Sequence, residues 1–500
     1  MAQPTDLLQS PDWYNALTLD ERAALLRSGA LKAGGEVLSE AESADEFLRE
    51  WRAQAPFQSD SLFARRLAQD GLTEWDFIHI LSAPAERLRD AVTDPPRWLC
   101  ELSRAFSATD ARATPAPGLP PELSEAQSAG FLNAVAPLSA HFRARLSEGI
   151  QALVRRQPEA PFDAANALEL LYANVPAHLL GMISRTMVLE LNVARLAGLL
   201  EGETPEERFA SFTTRLQERE AALALLAEYP VLARQLVTAL EQWVESSLEF
   251  LARLGEDWRE LCRLFRIDDA ARLSEVESGL GDAHRGGRSV VRVRFDAGHQ
   301  LVYKPHALAV DVHFQNLLAW LNERGARPEF RTIQILDRAA HGWVEFVHAR
   351  DCASVAEVRG FYERQGGYLA LLYALEATDF HHENLIAAGE HPVLVDLETL
   401  FHPRVEGGRG GRADWELARR AAARSVLRTG LLPFRVGAGE AEAGVDLSGL
   451  GAVAGQLTPE KVLQWERGGT DEMRAGFERL AMPGAHNRPG LAGGEIRTLD

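Results

Sequence analysis

The chain has little of what would cross-link it or place it in a membrane. Its 500 residues include three cysteines, Cys100, Cys262 and Cys352, which lie too far apart along the chain to predict a disulfide framework or a zinc site. No apolar run reaches the roughly 18 residues that a membrane-spanning helix needs. The first residues, Met1 to Gln9, have neither a basic start nor an apolar core, so they predict no secretory signal. These absences predict a cytoplasmic protein without a membrane span.

Lysine is the scarcest charged residue. Of the 53 basic residues only Lys32, Lys304 and Lys461 are lysines, and the remainder are arginines. A lysine inside a strand is therefore of interest, because arginine does not replace lysine where a compact ammonium must fit. The 72 acidic residues bring the formal net charge to -19. This balance disfavours a protein that binds nucleic acid by neutralising its phosphates, so we expect no nucleic-acid partner.

The composition, 46% hydrophobic and 25% charged, is that of an ordinary globular protein, and the length suggests about three domains. Helical spacing of apolar residues predicts an N-terminal helical region over 1–107 and a second one over 122–278. An Ala- and Pro-rich stretch over 108–121 predicts a linker between them. We expect a small sheet lobe over 279–347 and a larger lobe over 348–500. Eleven of the 14 histidines follow residue 280, so polar chemistry is concentrated there.

The sheet lobe is predicted from alternation. Val291, Val293 and Phe295 alternate with arginines, which is the period of a half-buried strand. A turn at 296–298 and a run ending at Lys304 complete a β-hairpin, and 332–336 with 343–347 form a second one. Helices and hairpins in separate stretches predict an α+β, helix-rich fold with a small antiparallel sheet.

The stretch TDFHHENLIAAGEHPVLVDLETLF, residues 378–401, carries the most specific chemistry. Alternation predicts a strand that places Asp396 and Glu398 on one face. Phosphoryl transfer from ATP needs a carboxylate that positions the attacking hydroxyl, and oxygen ligands for Mg²⁺. We therefore interpret Asp379 as the residue that orients or deprotonates the hydroxyl, and Asn384, Asp396 and Glu398 as metal ligands. His381 is a candidate for contacting phosphate or assisting proton transfer.

Lys304, near the end of a predicted strand upstream of this stretch, has the place of a phosphate-binding lysine in a kinase small lobe. Glu345 is a candidate partner for Lys304, although an exposed strand glutamate explains it equally well. In the Gly-rich segment before the first strand, Asp282 and His284 are candidates for reaching a phosphate. That segment does not match G-x-G-x-x-G, and a polar turn is the alternative interpretation.

Other chemistries find less support. The chain contains no GxxxxGK[ST], no H-E-x-x-H and no G-x-S-x-G. The pair His381 and His382 beside Glu383 suggests a metal cluster, but a neighbouring carboxamide and distal carboxylates suit magnesium and ATP better than zinc. Two functional alternatives stay open: a kinase acting without elimination, for example on a lipid or small alcohol, and a catalytically silent scaffold that binds a leader peptide.

At these residues the chain resembles the dehydratase region of class II lanthipeptide synthetases, the LanM family. The matching stretches, in order, are GDAH (281–284), LVYKP (301–305), GWVEF (342–346), TDFHHENLIA (378–387), VLVDLETLFHP (393–403) and SVLRTGLLP (425–433). WYNALTLDER (13–22) is similar but less specific. The resemblance implies a fold like that of lipid kinases, with a bilobal catalytic core and added helical elements.

The resemblance also implies an activity. The family binds the leader of a precursor peptide, phosphorylates Ser and Thr side chains with ATP and Mg²⁺, and eliminates phosphate to leave dehydroalanine and dehydrobutyrine. Lys304, Asp379, His381, Asn384, Asp396 and Glu398 match its phosphorylation site, and Asp282 and His284 match its Asp-x-His.

Two departures qualify the resemblance. Arg497 matches an arginine of the family's elimination site, but the chain ends before the threonine expected six residues later. The zinc-binding cyclase domain that usually follows is also absent from this sequence, so a cyclase domain or partner is expected elsewhere. We therefore expect a fragment of a longer synthetase or a stand-alone form that phosphorylates more readily than it eliminates and forms no thioether rings.

Overall fold

The computed structural model describes residues 10–31, 48–54, 60–107, 129–284, 286–403, 421–436, 444–451 and 453–491, apart from the side chains of residues 60 and 282–284. It confirms a helix-rich α+β protein with small antiparallel sheets. The chain divides into two compact units: Met1–Leu153, Leu171–Glu249 and Arg467–Met473 form the first, and Val154–Leu170, Phe250–Glu466 and Arg474–Asp500 form the second. The predicted linker at 108–121 and Arg497 lie outside the described residues.

Helices supply most of the regular structure. Their bounds are α1 Leu19–Arg27, α2 Asp60–Gln69, α3 Glu74–Leu81, α4 Ala85–Ala91, α5 Arg97–Ser107, α6 Ala136–Arg156, α7 Ala164–Tyr172, α8 Val175–Leu196, α9 Pro205–Arg215, α10 Arg219–Glu228, α11 Pro230–Phe265, α12 Ala309–Glu323 and α13 Val355–Ala374. Short 3-10 helices cover Pro11–Ala16, Ala129–Val135, His382–Asn384 and Val426–Thr429.

Three helices of the first unit begin at a threonine that caps them. Thr18 Oγ1 accepts a hydrogen bond from Glu21 N at 3.2 Å, and the Glu21 carboxylate accepts one from Thr18 N at 2.8 Å. Thr73 and Thr204 form the same reciprocal pair with the acidic residue three positions on. These bonds satisfy backbone donors that have no partner inside the helix, so local sequence determines where α1, α3 and α9 begin.

A buried carboxylate joins two helices of the first unit. Glu101 of α5 is 5% exposed. Its Oε2 lies 2.8 Å from His141 Nε2 and 3.1 Å from Arg145 Nη1, both on α6, and its other oxygen pairs with Arg104. Burial by itself would raise the pKa of Glu101, but the hydrogen bond with His141 and the two guanidinium charges outweigh it, so the pKa lies below its ordinary value.

The second unit contains a five-stranded antiparallel sheet. Its strands are β1 Leu273–His284, β2 Arg288–Phe295, β3 Gln300–Lys304, β4 Ile335–Asp337 and β5 Gly342–Glu345, in the order β1-β2-β3-β5-β4. Three two-stranded antiparallel sheets follow: β6 Leu385–Ala388 with β7 His391–Leu394, β8 Arg435–Val436 with β9 Val445–Asp446, and β10 Val462–Glu466 with β11 Arg474–Glu478. Both predicted hairpins of the sheet, β2–β3 and β4–β5, are confirmed.

The sheet begins earlier than the sequence predicted. β1 starts at Leu273, whereas strand structure was expected only after Gly279. The start of β1 looks polar in sequence because Glu275 lies only two residues after Leu273. In the structure Glu275 forms ion pairs with two arginines of β2, Arg292 at 3.6 Å and Arg294 at 3.2 Å. Opposite charges paired across neighbouring strands let a polar sequence form a strand, and single-strand alternation does not reveal such pairs.

A hydrophobic cluster packs against the β6–β7 hairpin. Its buried members include residues of α12, α13 and the hairpin with its flanking loops: Phe314, Leu318, Phe361, Tyr368, Leu372, Phe380, Leu385, Leu394 and Leu397. Because residues immediately before β6 and after β7 belong to the cluster, packing holds in place the two loops that the hairpin connects.

Asp257 of α11 joins that helix to the sheet within the second unit. The carboxylate is 5% exposed and accepts hydrogen bonds from Arg338 Nε at 2.7 Å, His341 Nε2 at 2.8 Å and Trp343 Nε1 at 2.8 Å. Trp343, on β5, is fully buried. Four polar groups are thus satisfied at once, and three of them, on Asp257, His341 and Trp343, belong to buried residues.

Among the described residues, no single helix has both the length and the apolar character of a membrane span. Only α10 and α11 taken together meet that criterion, and they are bent by 109° relative to each other at a short break.

Replacing Asp257 with Asn is expected to lower the free energy of opening of the sheet by about 3 kcal/mol, because it leaves Arg338 and His341 without a buried anion. Hydrogen exchange of the β3 and β5 amides at increasing urea concentration measures this. Glu159→Gln is the matched control, since Glu159 pairs with Arg259 at an exposed position, where such pairs contribute about 0–1 kcal/mol. Equal effects of the two substitutions would contradict this role of Asp257.

Glu101 gives a prediction for pH dependence. Because its pKa is lower in the folded chain, its stabilising contribution is fully present above its ordinary pKa of 4.5 and is lost as the pH falls through the lower folded-state pKa. At pH 7, Glu101→Gln should cost about 1–3 kcal/mol of stability. Urea-dependent hydrogen exchange of α5 should show this difference shrinking below pH 4.5. A difference that is constant down to the acid limit would exclude the charge as its source.

Candidate active site

Lys304 is the last residue of β3 and is 7% exposed. Its ammonium lies 3.2 Å from Asp311 Oδ1, at the start of α12, and donates a hydrogen bond to the Val395 carbonyl oxygen at 2.8 Å. Val395 immediately precedes Asp396. A lysine and a carbonyl that are 91 residues apart in sequence are therefore in direct contact.

The suggestion that Glu345 pairs with Lys304 is wrong. Glu345 lies opposite Leu301 in the β3–β5 register, three positions from Lys304, so its side chain projects from the other face of the sheet. There it binds Arg331 Nη2 at 2.6 Å and accepts from Gln334 N at 3.0 Å. The carboxylate that faces the ammonium belongs to Asp311. The sequence did not indicate this residue because it lies in the first turn of α12 and not on a strand of the sheet.

Asp379 lies in the loop between α13 and β6. Its side chain is exposed, and its backbone is left-handed, with φ +65°. Aspartate adopts this conformation more readily than most residues, and such positions recur at functional sites. The Asp379 carbonyl accepts a hydrogen bond from Asn384 Nδ2 at 2.8 Å, and its carboxylate lies 3.8 Å from His381 Nε2. Asp379, His381 and Asn384 thus form one compact loop.

Backbone carbonyls of two later residues, Thr429 and Leu447, hold this loop by hydrogen bonds. Phe380 N donates to the Thr429 carbonyl at 2.8 Å, and His382 N donates to the Leu447 carbonyl at 3.2 Å. Gly430 has φ +76°, and a Cβ there would lie 3.0 Å from Phe380 N, so both its conformation and its close approach require glycine. The segment SVLRTGLLP was noted above only for its family resemblance. In the structure its residues Thr429 and Gly430 hold the backbone of the Asp379 loop in place.

Asp396 and Glu398 do not lie on a strand as predicted. β7 ends at Leu394, and the next residues turn, with Glu398 N donating to Asp396 Oδ1 at 3.2 Å. Val395 N still donates to the Asn384 carbonyl at 3.1 Å, in the register of the hairpin. The strand ends there because the return bond is not made: Asn384 N donates to the His381 carbonyl at 3.1 Å, and the Val395 carbonyl binds Lys304. Asp396 is half-buried and Glu398 exposed, so the two carboxylates do not share one strand face.

One residue, Val395, therefore connects the predicted site residues through its backbone. Through Val395, the ammonium of Lys304, the backbone of Asn384 and the turn bearing Asp396 and Glu398 are joined by two hydrogen bonds. The hydrogen bond from Asn384 Nδ2 to Asp379 directs the amide oxygen away from that contact. Carboxylate and amide oxygens are the donors that a hard cation such as Mg²⁺ prefers, and Mg²⁺ takes few of them from protein when phosphates supply the rest.

Where the structure describes side chains, no group of three or more His, Cys, Asp or Glu residues gathers around one metal position. The side chains of Asp282 and His284 lie outside the described residues, although the backbone of β1 reaches His284, which pairs with Arg288. Arg497 lies outside them altogether.

The Lys304–Asp311 pair gives a stability prediction. Lys304→Met should destabilise the chain by about 3 kcal/mol, because it leaves a buried carboxylate without its cation. The double variant Lys304→Met/Asp311→Leu should recover most of this loss, since an apolar pair replaces a buried ion pair at little cost. Urea denaturation measures both variants, and Lys461→Met, at an exposed lysine, is the matched control. A double variant no more stable than the single one would show that the pair is not the source of the effect.

Comparison with known proteins supports the resemblance that these residues carry. A family model described as a domain of unknown function (DUF4135) matches residues 229–500, which is more than half of the chain. The chain is also similar to the lacticin 481/lactococcin biosynthesis protein LcnDR2 of Lactococcus lactis subsp. lactis, with 28% identity over 264 residues. The aligned part makes up 51% of this chain and 28% of that protein, so the chain spans less than a third of the relative's length. The chain belongs to the DUF4135 family, and the two matches together support its resemblance to the dehydratase region of class II lanthipeptide synthetases.

Proposed function

We propose that the chain is a lanthipeptide dehydratase that phosphorylates serine and threonine side chains of a precursor peptide with ATP and then eliminates the phosphate. The observation that carries this proposal is the hydrogen bond from Lys304 to the Val395 carbonyl, which brings the sheet's ammonium beside Asp396. A lysine on a small antiparallel sheet facing a carboxylate loop is the arrangement of kinase active sites. The similar L. lactis protein is named as a lacticin 481/lactococcin biosynthesis protein, which supports the proposal that this chain modifies a precursor peptide.

The proposal includes a kinase-like bilobal core within the second unit. The five-stranded sheet forms the small lobe, and α12, α13 and the β6–β7 hairpin belong to the large lobe. In this arrangement the ATP phosphates lie between Lys304 and Asp396. The ammonium of Lys304 offsets phosphate charge, while Asp311 keeps the buried lysine charged and oriented.

In the first step Asp379 accepts the proton of a serine or threonine hydroxyl as its oxygen attacks the γ-phosphorus of ATP. The new O–P bond forms as the bond between that phosphorus and the bridging oxygen breaks, and ADP leaves. Asp379 suits this role because its carboxylate is exposed to an incoming chain. His381, 3.8 Å from it, assists proton transfer or contacts phosphate.

Magnesium fits the oxygen donors of the loops. Asn384, Asp396 and Glu398 would hold it, the last directly or through water, and the bound ion would offset the negative charge of the phosphates. The amide of Asn384 and the turn at Asp396 are held by backbone hydrogen bonds, so these donors are positioned before any ligand binds.

In the second step a base removes the α-proton of the phosphorylated residue. The C–H electron pair forms the double bond between Cα and Cβ, and the bond from Cβ to oxygen breaks, so that phosphate leaves with the bonding pair. Phosphorylation makes this possible because phosphate is a far better leaving group than hydroxide. Asp282 and His284 belong to the proposed site near the phosphate, and Arg497 to the elimination step.

The test is incubation of the chain with ATP, Mg²⁺ and a Ser-, Thr- and Cys-rich precursor peptide encoded beside its own reading frame. The expected products, read by mass spectrometry, gain a phosphoryl group or lose one water per modified residue. Asp379→Asn should reduce phosphate transfer by at least about 10²-fold, with ATP binding preserved because Lys304 is unchanged. Glu363→Gln, an exposed carboxylate on α13, serves as control. An unmodified peptide with the unaltered chain, or undiminished transfer in Asp379→Asn, would refute the proposal.

A further inference from the structure

Thr399 joins two of the loops that carry the candidate site. Its hydroxyl donates a hydrogen bond to the Thr378 carbonyl at 2.5 Å, and its own carbonyl accepts one from Thr378 N at 3.4 Å. Thr378 immediately precedes Asp379, and Thr399 immediately follows Glu398. Two hydrogen bonds between residues 21 positions apart therefore connect the peptide that leads into Asp379 with the turn that bears Asp396 and Glu398.

The contact made by the Thr399 hydroxyl differs from those of the other threonines in the described part of the chain. Where their hydroxyls donate to a backbone carbonyl, they reach no farther than three residues along the chain, as at Thr213, Thr429, Thr458 and Thr470. Bonds of that kind satisfy a single helix or turn. The bond from Thr399 instead crosses to another loop, so local structure does not account for it.

The hydrogen bond adds a direction to the apolar packing between the two loops. Ala377 and Phe380 on one loop, and Leu397 and Leu400 on the other, are buried members of the same hydrophobic cluster. Apolar packing holds such segments together but is not directional, whereas a hydrogen bond has a preferred distance and angle. The bond from Thr399 therefore fixes how the two packed loops are oriented with respect to each other.

Asp379 is the residue whose position depends most on this bond. Its left-handed φ of +65° describes the rotation about its N–Cα bond relative to the carbonyl carbon of Thr378. Because the Thr399 hydroxyl holds that carbonyl, it fixes the peptide plane from which the Asp379 carboxylate projects. A sparsely populated φ of this kind persists only where the surrounding structure determines it. Thr399 is thus part of what keeps the carboxylate where it is.

We propose that Thr399 is a positioning residue for phosphate transfer, whose hydroxyl holds the backbone of Asp379 at a fixed place relative to the turn of Asp396 and Glu398. This inference rests on the proposed function, in which Asp379 accepts the proton of the acceptor hydroxyl and that turn holds the metal. Both parts act on the same phosphate, so a shift of one loop against the other separates them. Thr399 acts through the backbone that leads into Asp379 and not on the reacting atoms.

Two substitutions separate the hydroxyl from the rest of the side chain: Thr399→Val removes it and keeps the shape, whereas Thr399→Ser keeps it. Hydrogen exchange of the whole chain, read by mass spectrometry, should be about fivefold faster over residues 378–384 in Thr399→Val, the factor that one ordinary hydrogen bond contributes. With ATP, Mg²⁺ and the precursor peptide, this variant should also lower kcat by about 10- to 100-fold, because a small misplacement of a reacting group has that effect. The KM for ATP should not change, since both hydrogen bonds of Lys304 remain. Thr399→Ser should restore the exchange rate and kcat.

Ser274→Ala is the matched control, because the Ser274 hydroxyl also donates to a distant carbonyl, that of Arg294 at 3.1 Å, on the five-stranded sheet. It should change neither kcat nor exchange over residues 378–384. Exchange of the β2 and β3 amides in Thr399→Val should match that of the unaltered chain, which shows that the variant is folded.

An unchanged kcat or an unchanged exchange rate over residues 378–384 in Thr399→Val overturns the proposal. A serine variant that fails to restore kcat also overturns it, as does an effect of Thr399→Val on the KM for ATP alone. If the unaltered chain transfers no phosphate while Thr399→Val still exchanges faster, the proposed function is refuted and Thr399 only holds the loop. Transfer by the unaltered chain that Thr399→Val does not slow refutes the positioning role and leaves the function standing.

Discussion

The buried ammonium of Lys304 is the interaction on which the arrangement of the candidate site depends. It takes two oxygen partners at once, the Asp311 carboxylate and the Val395 carbonyl. The N–H of Val395 is bonded to the Asn384 carbonyl, so the backbone of this one residue holds the sheet, the loop before β6 and the turn after β7 in one place. A buried charge of this kind is tolerated only when its partners are well placed, and here one partner is the main-chain carbonyl that immediately precedes Asp396.

The surrounding packing keeps those partners in position. The hydrophobic cluster fixes both ends of the β6–β7 hairpin, and Thr429, Gly430 and Leu447 support the Asp379 loop through its backbone. The side chains proposed to act on phosphate are thus placed by main-chain hydrogen bonds and by a close glycine contact. Such positioning before binding is what proximity and electrostatic catalysis require, because a group displaced by about 1 Å loses much of its effect.

The chemistry and the surface of the site agree with one kind of substrate. In the proposed function, the exposed carboxylate of Asp379 receives a hydroxyl that is carried on a large molecule. Similarity to a lacticin 481/lactococcin biosynthesis protein supports the proposal that this molecule is a precursor peptide.

The sequence by itself determined the starts of α1, α3 and α9 and the two sheet hairpins, because capping pairs and two-residue alternation are local patterns. It did not determine that β1 begins at Leu273, that Asp396 lies beyond the end of β7, or that Asp311 and not Glu345 faces Lys304. Each of these depends on groups far apart along the chain: arginines of β2 opposite Glu275, a lysine that binds the Val395 carbonyl, and a helix start next to a strand end. Long-range hydrogen bonds and ion pairs form only after the backbone has folded, so only the tertiary structure decided them.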